Sequence, residues 1–565
     1  MERSPLRSRI QEKETMTVLQ RIRPSIVGLL SALLALFLIV GQLGAASALP
    51  SQTEGPLILP GTDGEPSTGT VTVHKYEQGD LWGVPSNGAV MDVDGTPIAG
   101  VTFEAQQIEA ITVGTTEYDL DLSTIDGWQH ASKLVLDDGA WLYDGAAATV
   151  QLGTTYTANT GATTYSPAVF QDLPIGLYLF TETKVPIGVT KSEDWVLSVP
   201  LTDPVERTSW LYDINVYPKN GVSDISKTVN DADAAKVGDT VEWTIIGDIP
   251  LDANPDYSQY RDVSETNLKF LPPTAYVVED QLDDRLKPVS ADPTVVTLTS
   301  GGIELAVGTD YTVTAEQTAG SKVTVTFTEE GRAKMALAAS KASSATAVDV
   351  QIVLTTEVVT LNSPESLKGT IGDGLIDNQA LLFPNSESIE WEMPVPSNIP
   401  ETRWGDLVIE KISSTNHQAG LSGATFQVFE TKADAEKGTN VIAIDGVSEF
   451  TTGKDGIVRI SGLRASDFEN GNPIQDEKDW QYYWIVETKA PQGYELQAEP
   501  IRVAVTGAQT SALVIPVENN PHNADFLLPH TGASGTWMFT IGGLVLLGGG
   551  VILAVRRKAD TKSGD

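Results

Sequence analysis

The sequence predicts an all-β fold: tandem β-sandwich domains between an N-terminal secretion signal and a C-terminal membrane-spanning tail. Three observations carry this. Val323, Val325 and Phe327 alternate with Thr324, Thr326 and Thr328, and Val241, Trp243 and Ile245 alternate with Thr240, Glu242 and Thr244. Val348, Val350, Ile352 and Leu354 keep the same period of two. Gly, Pro, Asn and Asp punctuate the runs, while helical patterning is confined to Glu329–Ser340 and Lys432–Lys437. The abundant threonines suit the solvated face of a sheet.

In chain order, Arg21 and Arg23 precede an apolar stretch from Ile26 to Val40, and Ala46-Ser47-Ala48 supplies small residues for a signal peptidase. Residues 1–48 read as a signal peptide, with Met16 as an alternative start. Residues 49–69, rich in Gly, Pro and Thr, form a flexible leader. The chain from there to the tail is too long for one core and divides into domains at 70–220, 221–396 and 397–521. The Pro-rich stretch Pro394 to Pro400 is a short stiff linker. Residues 522–565 end the chain with an apolar run, Thr536 to Val555, and a basic Arg556-Arg557-Lys558. Twenty apolar residues at the helical rise cover roughly 30 Å, the thickness of a bilayer core. The basic cluster holds the far side in the cytoplasm.

The net charge of −38 excludes nucleic acid as a partner and favours a self-repelling extracellular surface. The chain has no cysteine, so a secreted protein must here be stabilised without disulfides. None of the 5 histidines sits in an H-x-x-x-H spacing, which argues against zinc. No cofactor is called for. The acidic stretch from Asp467 to Asp479 reads first as a solvated loop; Ca²⁺, which prefers such oxygen ligands, is the alternative. No nucleophile elbow or His-based triad suggests a hydrolase.

The first and third domains repeat one another. Tyr178-Leu-Phe-Thr-Glu182-Thr-Lys-Val-Pro186-Ile-Gly188 matches Tyr483-Trp-Ile-Val-Glu487-Thr-Lys-Ala-Pro491-Gln-Gly493, and Ile98–Phe103 echoes Leu421–Phe426. Each opening strand carries a lysine among apolar residues, Lys75 and Lys411. A lysine at a core position is costly unless paired.

These repeats resemble the immunoglobulin-like, collagen-adhesin B-type (CnaB) sandwiches of Gram-positive surface proteins. In that family a Lys on the first strand bonds to an Asn on the last, promoted by a buried Glu or Asp. The resemblance implies Lys411, Glu487 and Asn519 in the third domain, with Asn520 one residue away. The second domain resembles the related family of middle domains, which implies Lys227 and Asn378, with Asn385 as fallback. Asp262 is the acid expected there, and Glu242 or Asp239 the alternatives. In the first domain the CnaB resemblance implies Lys75, Glu182 and Asn220. Burial lowers a lysine pKa and raises a carboxyl pKa, so a neutral amine can attack the Asn side-chain carbonyl while the protonated acid polarises it.

Leu528-Pro529-His530-Thr531-Gly532, ahead of span and basic tail, resembles the LPxTG sorting signal of sortase transpeptidases. Those enzymes cut the Thr–Gly bond and pass the Thr carbonyl to an amine. Trp210-Leu-Tyr-Asp-Ile214-Asn-Val216-Tyr217-Pro218-Lys219 resembles the pilin motif W-x-x-x-V-x-V-Y-P-K of sortase-assembled pili. The two resemblances together imply a major shaft pilin, joined head to tail from Thr531 of one subunit to Lys219 of the next. They imply secretion, wall anchoring and a place in a fimbria that supports adhesion. The partners implied are a pilus-specific and a housekeeping sortase, identical subunits, a tip pilin and peptidoglycan. The chain is then a sortase substrate rather than an enzyme; a monomeric wall-anchored adhesin is the alternative.

Overall fold

The computed structural model describes residues 58–521, apart from 63, 80–85, 94, 138, 206, 362–373, 498 and 507–513. The signal peptide, most of the leader, the sorting signal Leu528, Pro529, His530, Thr531 and Gly532, and the span 536–555 lie outside the described residues.

The alternating runs form strands with the expected inward face. Asp349–Val358 alternates between half-buried and buried along its whole length, and Thr240–Asp248 and Lys322–Phe327 bury every second residue. The two foreseen helices occur at Glu329–Lys341 and Lys432–Lys437, each started by a threonine whose side chain accepts from a first-turn N–H.

The chain splits into two compact units, one holding residues 1–403 and 468–473, the other the remainder. The first unit contains two separate cores. In the earlier one, Thr68–Val73 runs parallel to Asp213–Val216 and antiparallel to Ala168–Pro174. The facing sheet is built on Thr102–Val113, with Gly176–Lys184, Thr149–Asn159 and Trp195–Val199. Val71, Phe103, Tyr178, Phe180 and Ile214 fill the space between them. Between Thr102–Val113 and Thr149–Asn159 lies an insertion that the sequence patterning does not announce. Its helix Ile125–Ala131 and hairpin Leu134–Asp137/Ala140–Tyr143 bring Leu120, Leu122, Leu134 and Tyr143 against Ile108, Ile111 and Leu177 of the main sandwich.

The later core lies between two five-stranded sheets. One holds Ile225–Asn230, Thr240–Asp248 and Asp349–Val358; the other holds Lys322–Phe327, Val277–Gln281 and Ala380–Phe383. Ile245, Tyr276, Phe327, Ile352 and Leu382 meet inside.

The second unit repeats the plan. The long strand Glu401–Ser413 pairs antiparallel with Ile457–Arg464 and parallel with Val514–Asn519. Thr425–Phe429, Tyr483–Lys489 and Ile501–Val503 form the facing sheet. Leu407, Ile409, Phe426, Val428 and Ile485 are buried between them. In both sandwiches that echo one another in sequence, the last strand closes parallel to the first.

Candidate functional site: three buried amine–carboxylate–amide clusters and an adjoining lysine

Each sandwich buries one lysine beside one carboxylate and one asparagine. Lys75 lies two residues beyond the end of Thr68–Val73 rather than within it, in the break before Tyr76–Glu77. It is 0 % exposed. Its Nζ contacts Glu182 Oε1 and donates to Asn220 Oδ1, while Asn220 Nδ2 donates to Glu182 Oε2 at 2.8 Å. The Ser192 N–H also donates to Glu182 Oε2, at 3.0 Å. Burial pushes the Lys75 amine below its ordinary value, against the pull of Glu182. The three buried side chains are in mutual contact.

In the third sandwich Lys411 sits on Glu401–Ser413 and Asn519 ends the parallel partner strand, with Lys411 opposite Val517 and Ser413 opposite Asn519. Asn519 Nδ2 donates to both Glu487 oxygens, at 3.0 and 2.9 Å. Lys411 Nζ stands 3.8 Å from Glu487 Oε1 and donates to the Val517 carbonyl at 2.9 Å. Burial brings its amine down to about 8, Glu487 opposing. Gln497 N–H donates to Glu487 Oε2 at 2.7 Å. That backbone donor lies ten residues after the acid, as Ser192 does after Glu182. Asn520 instead turns outward and accepts from Ser414 Oγ at 2.7 Å, which leaves Asn519 as the buried amide.

The second sandwich corrects one expectation. Asp262 is exposed in a loop, where only its backbone carbonyl is engaged, by Asn267. The carboxylate beside Lys227 Nζ is that of Asp280. The physical reason is the strand Val277–Gln281: Tyr276, Val278, Asp280 and Leu282 share its inward face, all nearly or fully buried. Burial raises the Asp280 carboxyl and lowers the Lys227 amine, each opposed by the other's charge. The Lys227 Nζ also lies 5.3 Å above the Trp243 ring. Asn378 is buried in the same cluster, and neither of its side-chain polar atoms completes a hydrogen bond. The alternatives are committed elsewhere. Asn385 caps the helix Ser386–Glu390 and donates to Thr190. Asp239 binds the Ala235 and Lys236 amides, and Glu242 is exposed.

The Trp210–Lys219 motif runs straight into the first cluster. Ile214 and Val216 point into the core, and the Tyr217 ring stacks on His74 at 4.6 Å. Tyr217 Oη accepts from Met91 N–H at 2.9 Å. Trp210 stacks on Trp128 and donates to the Ile58 carbonyl. The Pro218 carbonyl accepts from Tyr76 N–H at 3.2 Å. Half-buried Lys219 and buried Asn220 form a short strand parallel to Tyr76–Glu77. The motif lysine and the first cluster's amide are therefore consecutive residues.

Residues 66–221 match the Gram-positive pilin subunit D1 N-terminal domain, and residues 520–562 match the LPXTG cell wall anchor motif. The fimbrial subunit type 1 of Actinomyces viscosus is 32% identical over 556 residues, covering 94% of this chain and 97% of that protein. The chain belongs to the Gram-positive fimbrial subunits. The fimbrial subunit type 2 of Actinomyces naeslundii is 31% identical over 537 residues, 88% of this chain and 91% of that one. The full-length major pilin SpaD of Corynebacterium diphtheriae superposes with a TM-score of 0.55 at 25% identity, covering 81% of this chain and 98% of SpaD. As a fimbrial subunit the chain is a structural component of a cell-wall-anchored surface fimbria, a sortase substrate and not an enzyme.

In this fimbrial subunit, sequence reasoning missed Asp280 and the two backbone donors at Ser192 and Gln497. For Asp280 the signal was present: an acid on the apolar phase of a strand, the same clue that singled out the lysines. The backbone donors carry no side-chain signature. In the acidic stretch Asp467–Asp479, Asp476 pairs with Lys478 at 2.5 Å. Among the described residues no three His, Cys, Asp or Glu side chains are grouped to hold a metal ion.

Proposed function

We propose that this fimbrial subunit is a major shaft pilin that makes two kinds of amide link. Between subunits, a pilus-specific sortase cuts after Thr531, holds it as a thioester, and transfers it to Lys219 of another copy. Repetition gives a heterologous, open-ended fibre. A housekeeping sortase makes the last transfer, to peptidoglycan, and a tip pilin occupies the far end. Within the subunit, Lys75 joins Asn220, Lys227 joins Asn378 and Lys411 joins Asn519. Glu182, Asp280 and Glu487 are the promoting acids, each reaction releasing ammonia.

The observation that carries the reading is the first cluster. One buried amine touches both the acid and the amide carbonyl oxygen, and the amide's neighbour in sequence is the motif lysine. Lys219→Ala tests the intersubunit link in the native organism. The high-mass ladder on denaturing gels should collapse to monomer; a ladder that survives overturns the linkage and favours a monomeric wall-anchored adhesin.

A further inference from the structure

The run Pro396–Pro400 leads from the strand Val395–Pro396 to the strand Glu401–Ser413. Sequence alone presents it as a spacer. Its polar groups, however, are engaged with both partners of the second cluster. The Asn398 side chain holds the Lys227 backbone at two points. Oδ1 accepts from Lys227 N–H at 2.8 Å, and Nδ2 donates to the Lys227 carbonyl at 2.8 Å. Ile225–Asn230 is an edge strand whose other side pairs with Thr240–Asp248, so Asn398 occupies hydrogen-bonding groups that a further strand would use.

Farther along, the Pro400 carbonyl accepts from Asn378 N–H at 3.1 Å. Ser397 N–H donates to the Ala380 carbonyl at 2.9 Å, and Ser397 Oγ accepts from Ala380 N–H at 3.0 Å. The Ser397 carbonyl accepts from Gln379 Nε2 at 2.8 Å. Lys227 and Asn378 share no sheet ladder among the described residues. The hydrogen bonds of this run tie the backbone of the amine donor to the backbone around the acceptor.

We propose that Pro396–Pro400 is a positioning segment for the second cross-link, and that Asn398 is its positioning residue. The proposal rests on the cross-linking reading above. In the reaction the Lys227 Nζ–Asn378 Cγ bond forms and the Cγ–Nδ2 bond breaks. One amine proton passes through Asp280 to the departing nitrogen, and ammonia leaves. Asn398 touches none of these atoms. It fixes the main chain from which the Lys227 amine is delivered, and Pro400 and Ser397 fix the main chain carrying the amide. A misplacement of about 1 Å between reacting groups costs about a hundredfold in rate.

The test uses the full chain made by cell-free synthesis and sampled over time, with ammonia loss at each of the three sites read from the masses of cross-linked tryptic peptides. Asn398→Ala should slow closure of Lys227 to Asn378 by between about tenfold and a hundredfold. The Lys75 and Lys411 sites in the same molecules should close at unchanged rates. Asn398→Asp keeps the acceptor but loses the donor and should fall between. Rates are compared at a temperature where Asn398→Ala in a Lys227→Met background, which cannot cross-link, remains folded by circular dichroism. Equal closure rates in the unaltered chain and Asn398→Ala overturn the positioning role and leave the cross-linking reading intact. No ammonia loss at Lys227 in the unaltered chain overturns both.

Discussion

Replacing Lys75 with methionine isolates the first cross-link. The substitution exchanges a fully buried amine for an apolar side chain of similar length, in a site near the Phe103 ring. Glu182 Oε2 keeps its hydrogen bonds from Ser192 N–H and Asn220 Nδ2, while Oε1 loses its contact with the amine. What disappears is the link between residues 145 apart. In the chain-entropy description, closing a loop of that length restricts the unfolded chain by about 5 kcal/mol. For a domain of this size 1 kcal/mol moves the melting midpoint by roughly 2–4 °C, so Lys75→Met should lower the first sandwich's midpoint by about 10–20 °C. The assay is intact mass followed by calorimetry on the same full-length sample. After correction for the substitution, the variant should retain one more ammonia than the unaltered chain. Equal ammonia loss in the two proteins, or midpoints agreeing within about 2 °C, refutes the reasoning.

Two other outcomes are expected. Asp280→Ala should abolish ammonia loss at the Lys227 site while Asp262→Ala leaves it unchanged, both read from tryptic peptide masses; the reverse pattern would restore the exposed aspartate as the acid. At the third site the reactive form, with neutral amine and protonated acid, holds as many protons as the Lys411–Glu487 ion pair, so closure should be insensitive to pH between neutrality and the Lys411 value. As pH rises through about 8, the pair loses that proton and closure should slow. A rate that climbs from neutral pH to pH ~9 would show that a neutral amine alone is sufficient.

The sandwiches were legible because they are made of half-buried strands, whose period of two survives in sequence: Val241, Trp243 and Ile245 all face inward. The buried lysines were legible for the same reason, as charges on an apolar phase. Asp280 carried that signature too, but the family resemblance pointed to Asp262, which lies exposed in a loop. Chain position reports neighbours in sequence; burial phase reports neighbours across the core. The insertion with Ile125–Ala131 was illegible because it is short and its apolar residues complete a cluster with Ile108, Ile111 and Leu177 from the main sandwich. Asn398 was illegible because nothing in a Pro-rich run signals a side chain bonded to backbone 171 residues away.

The placement of the three lysine–asparagine pairs has a mechanical consequence. Under the proposed linkage, pull enters a subunit at Lys219 and leaves through Thr531. Residues before Lys219 then hang from the load path as a side branch. Beyond it, force reaching Lys227 crosses directly to Asn378, and force reaching Lys411 crosses directly to Asn519. The taut chain shrinks to three short stretches, 219–227, 378–411 and 519–531. Strands held inside the two covalent loops can separate without lengthening the fibre, and when the load is released they remain tethered beside their partners.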